Sequence, residues 1–135
     1  MFHVTERASE IELEIHDVDV EGLFTDAILA LGDVFSAAAA ERGEPVTHRV
    51  ELGAADPEGL FKTWIDELIA LAESENFVPE RVAKLDLAAT AIRATVSGER
   101  GIAQSLIKDV SSHRIAVGAR EDGTWSATVI LDVAG

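Results

Sequence analysis

The chain opens on two alternations of polar and apolar residues, each followed by a stripe of helical spacing. From Glu10 the run is Glu10-Ile11-Glu12-Leu13-Glu14-Ile15-His16. A period of two predicts a half-buried strand with Ile11, Leu13 and Ile15 turned inward. Asp17-Val18-Asp19 interrupts it, and Asp19 is suited to cap a helix. Apolar residues then recur at Val20, Leu23, Phe24, Ala27, Ile28, Leu31, Val34 and Phe35, the spacing of one buried helix face. That helix is expected to run through Ala37-Ala38-Ala39-Ala40 and to stop at Gly43. Pro45 leads into Val46-Thr47-His48-Arg49-Val50-Glu51-Leu52, a second alternating strand. Asp56 then offers an N-cap, Pro57 the first helical position and Glu58 an acid in the first turn. The stripe that follows is Leu60, Phe61, Trp64, Ile65, Leu68, Ile69 and Ala72, ending near Ser74-Glu75-Asn76. It is the clearest amphipathic segment of the chain.

The remainder is mostly extended. Residues 82–87 and 90–96 predict two strands with a tight connection at Ala88-Ala89, and Gly98-Glu99-Arg100-Gly101 predicts a loop. Residues 102–110 fit a short helix or a strand. Residues 113–120 and 124–132 predict a hairpin turning on Glu121-Asp122-Gly123, which carries the Asp-Gly signature. His3 falls in what reads as a frayed terminus. The order β-α-β-α-β-β-β-β gathers strands toward the end. It argues for one α+β domain over residues 1–135, with two layers: two helices packed on one face of a mostly antiparallel sheet.

Composition narrows the setting. A chain of 135 residues with 47% apolar residues can build a real core. No apolar run reaches the ~18–20 residues of a membrane span, and Met1-Phe2-His3-Val4-Thr5-Glu6 lacks the pattern of a signal peptide. There is no cysteine, hence no disulfide, thiolate metal site or Cys nucleophile. A cytosolic protein, monomeric or weakly oligomeric and without membrane contact, is expected. Eleven Lys+Arg against 25 Asp+Glu give −14, so the whole field opposes direct binding of bare nucleic acid. A role near RNA would run through a protein partner or a metal ion. An acidic host proteome explains the same charge equally well.

Motifs of catalysis are weak. Gly98-Glu99-Arg100-Gly101 lacks the Gly-Lys-Ser/Thr of a phosphate loop, and Ser105-Leu106-Ile107-Lys108 is a four-residue match without companions. His48 sits in apolar company and is expected to be half-buried and hydrogen-bonded, whereas His16 on the acidic strand face should be solvated. His113 begins a strand whose inward side is Ile115 and Val117, so a structural role is the ordinary reading. Glu10, Glu12 and Glu14 line one strand face, for which solvation is the ordinary reading. In the last strand Trp125, Ala127, Val129, Leu131 and Val133 share a face, leaving Asp132 on the other with Thr128 and Ile130. Were the first and last of these strands neighbours, Glu10 and Asp132 would converge. They would then repel unless a cation such as Ca²⁺ or Mg²⁺ sat between them.

Several stretches resemble the archease family, small proteins that activate the RNA ligase of tRNA splicing. Asp19-Val20-Glu21-Gly22-Leu23-Phe24 with Ala27-Ile28-Leu29-Ala30-Leu31 is similar to that family's first helix. Leu60-Phe61-Lys62-Thr63-Trp64-Ile65-Asp66-Glu67-Leu68 is similar to its second. Gly98-Glu99, Lys108-Asp109-Val110-Ser111-Ser112-His113 and the closing Trp125 to Val133 fall in the same order as family segments. The resemblance implies a two-layer α+β fold and a helper rather than an enzyme. Its partner would be a ligase that joins RNA 3′-phosphate to 5′-hydroxyl ends with GTP and a divalent metal, and the helper would promote guanylylation and turnover.

The resemblance also implies a metal site for Ca²⁺ or Mg²⁺ built from an N-terminal acid, the closing acid and the chain end. Here these correspond to Glu10, Asp132 and Val133, with His113 as a further functional candidate. The family's His-Thr-Ala-Asp falls on Arg7-Ala8-Ser9-Glu10, so the acid is one methylene longer, and Ala134-Gly135 follow Val133. Two other classes of function compete: a binding module for a different protein partner, and a small metal-dependent enzyme using the acidic cluster.

Overall fold

The protein is described here by a computed structural model covering residues 1–6, 10–38, 44–75, 77–88, 90–100 and 110–133, without the side chains of 35–38, 73, 75, 110–113 and 133. The elements in chain order are β1 (Phe2–Glu6), β2 (Glu10–Asp17), α1 (Val20–Ala38), β3 (Pro45–Gly53), α2 (Pro57–Glu75), β4 (Phe77–Leu87), β5 (Ala91–Arg100), β6 (Val110–Ala119) and β7 (Trp125–Val133). All strand pairing among them is antiparallel, and the α+β class expected from the sequence is what is found. The strands divide into two sheets, one ordered β1-β2-β7-β6 and the other β3-β5-β4. Among the described residues no helix is long and apolar enough to cross a membrane.

Both helices begin as the sequence dictates. Asp19 Oδ1 accepts the Gly22 amide at 2.7 Å, and Asp56 Oδ1 accepts the Gly59 amide at 2.7 Å. Each bond satisfies one of the amides that a helix start leaves without an internal partner. The inward stripe of α1 (Leu23, Phe24, Ala27, Ile28, Leu31) is fully buried, as are Leu60, Phe61, Trp64, Ile65 and Leu68 of α2. The two stripes meet in an aromatic cluster. Phe24 and Phe61 pack edge to face with centroids 5.4 Å apart, and Phe24 lies 5.8 Å from Trp64. The Trp64 indole N–H donates to the Phe24 carbonyl at 3.1 Å, so the one polar atom of that ring is satisfied inside the core.

Three parts of the chain differ from the sequence reading. The N-terminus is a strand, not a frayed end: Phe2 pairs with Ile15 and Val4 with Leu13, so both join the inward side of β2. β4 begins at Phe77 rather than near Val82, with Phe77, Val78 and Pro79 all buried. Pro79 hides the strand from a pattern search, yet β4 is an edge strand and its register shifts between Pro79 and Arg81, the places where a sheet tolerates proline. Gly98-Glu99-Arg100 belong to β5, not to a loop, because β5 is central and pairs with β3 and β4 along its length. A side chain at Gly98 would meet the Val78 carbonyl at 2.1 Å. Of the ambiguous stretch 102–110 only Val110 is described, as the start of β6, and the expected helix end at 39–43 lies outside the described residues. The Asp-Gly turn forms as expected, with Gly123 at φ 88° and its amide bonded to the Arg120 carbonyl at 3.0 Å.

α1 also runs hard against β4. A Cβ placed on Gly32 would lie 2.1 Å from the Pro79 carbonyl oxygen, so only glycine permits this approach. Gly32→Ala should therefore destabilise by about 3 kcal/mol through overpacking, outweighing the ~1 kcal/mol that alanine ordinarily adds to a helix; a denaturant melt showing an unchanged or raised midpoint would contradict the packing. Trp64→Ala should cost ~3–5 kcal/mol, the range for a large buried aromatic, and an unaltered melting temperature would rule out its place in the core.

Candidate functional site

Alternation puts one set of side chains of β2 and β7 into the core and the other onto the outer face of the four-stranded sheet. Ile11, Leu13 and Ile15 are buried together with Ala127, Val129 and Leu131. Their neighbours Glu10, Glu12 and Glu14 are half-buried on the outer face. β2 and β7 are direct neighbours, and the register sets Glu10 opposite Asp132, Glu12 opposite Ile130 and Glu14 opposite Thr128. The convergence of Glu10 and Asp132, conditional in the sequence, is realised.

A third residue completes the constellation. β6 lies on the far side of β7, with Arg114 opposite Ile130 and Ser112 opposite Asp132. Arg114 Nη2 donates to Glu10 Oε1 at 2.9 Å and lies 3.4 Å from Asp132 Oδ1. One guanidinium thus bridges carboxylates from two other strands. Side-chain exposures of 60% for Arg114, 32% for Glu10 and 30% for Asp132 place the group at the sheet surface, open to solvent and half screened.

Arg114 was not singled out in the sequence, although a signal existed. The Asp122-Gly123 turn fixes the hairpin register, and counting back from it puts Arg114 one row from Asp132. The reach to Glu10 could not be counted, because it needs the adjacency of β2 and β7.

Val133 is the last residue of β7 and pairs with Val110, and His113 pairs through its backbone with Leu131. The side chains of both fall outside the described residues. A divalent ion of the Ca²⁺ kind takes ~6–8 oxygen ligands. Glu10 and Asp132 already share a guanidinium, and among the described residues no group of three or more His, Cys, Asp or Glu is arranged to hold an ion. The described carboxylates alone supply fewer oxygens than such a shell takes.

The other histidines depart from expectation. His16 is half-buried rather than solvated, and its Nδ1 is buried without a hydrogen-bond partner among the described residues. His48 is half-buried as expected but its Nε2 likewise lacks such a partner. Its ring and that of Phe77 pack in a T-shaped pair with centroids 4.7 Å apart. Neither sits near the Glu10–Asp132–Arg114 group in register. On the second sheet, Arg49, Lys84 and Arg93 surround a depression of about 140 Å³ together with Glu51 and Asp86. Arg93 and Glu51 approach to 3.9 Å, so the signs are interleaved and neither dominates.

The architecture, two antiparallel sheets with two helices, is shared with solved proteins along nearly the whole chain. The solution structure of Methanobacterium thermoautotrophicum protein 1598 matches with a TM-score of 0.64 at 24% identity, covering 98% of each chain. The crystal structure of a Thermotoga maritima archease, a possible chaperone, matches with a TM-score of 0.58 at 12% identity, again over 98% of each. At these identities the likeness speaks for the fold alone.

The sequence carries the matter further. The model of the Archease protein family (MTH1598/TM1083) matches residues 2–133, and the chain belongs to that family. The archease of Pyrobaculum calidifontis is 28% identical over 138 residues, covering 95% of this chain and 92% of the relative. That of Pyrobaculum neutrophilum is 27% identical over 139 residues with the same coverage.

The bridging geometry has a measurable consequence. In a double-mutant cycle, Glu10→Gln and Arg114→Gln should be coupled by ~0.5–1 kcal/mol, the range for a partly exposed pair. The coupling should shrink at molar salt. Strict additivity at low salt would mean that the two side chains do not pair in solution.

Proposed function

We propose that this chain is an accessory protein that activates or chaperones an RNA-processing enzyme and is not itself an enzyme. The observation that carries the reading is the match of the archease family to residues 2–133 on an intact archease-like fold. Two further facts support it. The Thermotoga maritima relative in fold is described as a possible chaperone. The charge of −14 favours a protein partner over bare RNA.

The partner assigned by this proposal is the ligase that joins RNA 3′-phosphate and 5′-hydroxyl ends, with the helper promoting its guanylylation and repeated turnover. A second reading, a binding module for a different protein, is motivated by the rewritten stretch Arg7-Ala8-Ser9-Glu10. The two differ in one assay. With the ligase of the same organism under multiple turnover, stoichiometric helper should raise product formation ~10-fold, equivalent to about 1.4 kcal/mol in the limiting barrier. The pair should also co-purify. No rise in turnover, with capture of another protein from the native complex, would select the second reading.

A further inference from the structure

Two acids set directly opposite each other on adjacent antiparallel strands are held with Cβ atoms roughly 4.5–5.5 Å apart, and like charges so placed oppose the pairing. Glu10 and Asp132 occupy such positions. The arrangement calls for a cation, and the four-stranded sheet supplies one from its own third strand. Arg114 Nη2 is 2.9 Å from Glu10 Oε1 and 3.4 Å from Asp132 Oδ1.

The choice of cation matters chemically. A guanidinium is planar, permanently charged, less strongly hydrated than an ammonium, and carries five N–H donors, so a single group can serve two carboxylates. A divalent ion at the same point would lie within a few ångströms of that fixed positive charge. It would have to displace the guanidinium before gaining either oxygen. The placement of Arg114 is built into the hairpin, because its register partner Ile130 is also the partner of Glu12. The arginine therefore stands in the row next to the acidic pair, and a strand rather than a mobile loop carries it.

We propose that the guanidinium of Arg114 takes the place of a divalent cation at the Glu10–Asp132 pair, making the outer face of this sheet independent of metal. The inference does not rest on the ligase reading: a metal-independent sheet face would serve any partner. A tethered cation cannot be removed by a chelator and does not follow the free Ca²⁺ or Mg²⁺ concentration. The acidic pair is thus held without reference to the divalent-ion concentration, as a constitutive feature and not a switch.

The experiment uses the full chain, with calcium chloride and magnesium chloride as probes. Wild-type protein should give no saturable calorimetric isotherm with either salt and should melt at the same temperature in EDTA and in millimolar Ca²⁺. Arg114→Gln removes the charge at an exposed position, so the fold should survive. It should melt lower in EDTA, recover on addition of Ca²⁺, and acquire a saturable isotherm that the wild type lacks. Arg114→Lys keeps a positive charge without the planar fork and should respond to both salts less than Arg114→Gln does. Adding Asp132→Asn to Arg114→Gln should abolish the acquired response.

The proposal is overturned if the wild type binds Ca²⁺ in a manner lost in Asp132→Asn. It is equally overturned if Arg114→Gln matches the wild type in both melting and titration, or if it melts lower and Ca²⁺ does not restore it. In that last case Arg114 would be a surface ion pair with no relation to an ion site.

Discussion

Helix α1 has to satisfy two sheets at once, and most of the architecture follows from that constraint. It packs on β2, β1 and β7 of one sheet and along β4 of the other, while its Phe24 carbonyl accepts the indole N–H of Trp64 from α2. Close-packed interiors do not deform continuously. Fixing the approach of α1 to β4 at Gly32 and Pro79 therefore fixes the separation of the sheets. The buried run Phe77, Val78 and Pro79 makes sense in this setting. β4 pairs with β5 on one side and receives the helix on the other, so an edge that would otherwise expose unpaired backbone groups lies beside a helix.

What could be read from the sequence was whatever one element decides by itself. The alternation from Glu10 to His16 gave β2 to within a residue, and the stripe from Leu60 to Ala72 gave α2, because a half-buried strand and an amphipathic helix each write their own period. The caps Asp19 and Asp56 were legible for the same reason: their bonds reach only three residues along the chain.

What could not be read depends on neighbours. β1 carries only Phe2 and Val4 as inward residues, too few to establish a period, and it is a strand because β2 offers it an edge. Gly98 reads as a loop residue in isolation. In the structure it is a strand residue without a side chain because the Val78 carbonyl occupies that space. His48 was expected to find a hydrogen bond and instead packs nearly at right angles to the ring of Phe77, a partner from β4 that no local pattern announces.

The candidate site shows the same division at the level of charge. Asp132 and Glu10 could be placed on outer faces by counting, and their meeting required only the adjacency of β2 and β7. Arg114 could be found from the turn, but not its reach across two strands. This is why the pair read from sequence invited an exogenous ion, whereas the folded sheet carries its own cation. Membership in the archease family fixes the fold along residues 2–133. It does not fix the chemistry at each position of that fold, since side chains on an outer sheet face change without disturbing the core beneath. Ile11, Leu131 and their neighbours hold β2 against β7 whatever stands at Glu10, Asp132 and Arg114. The sheet therefore keeps the two acids in opposed register, and a guanidinium from β6 reaches both.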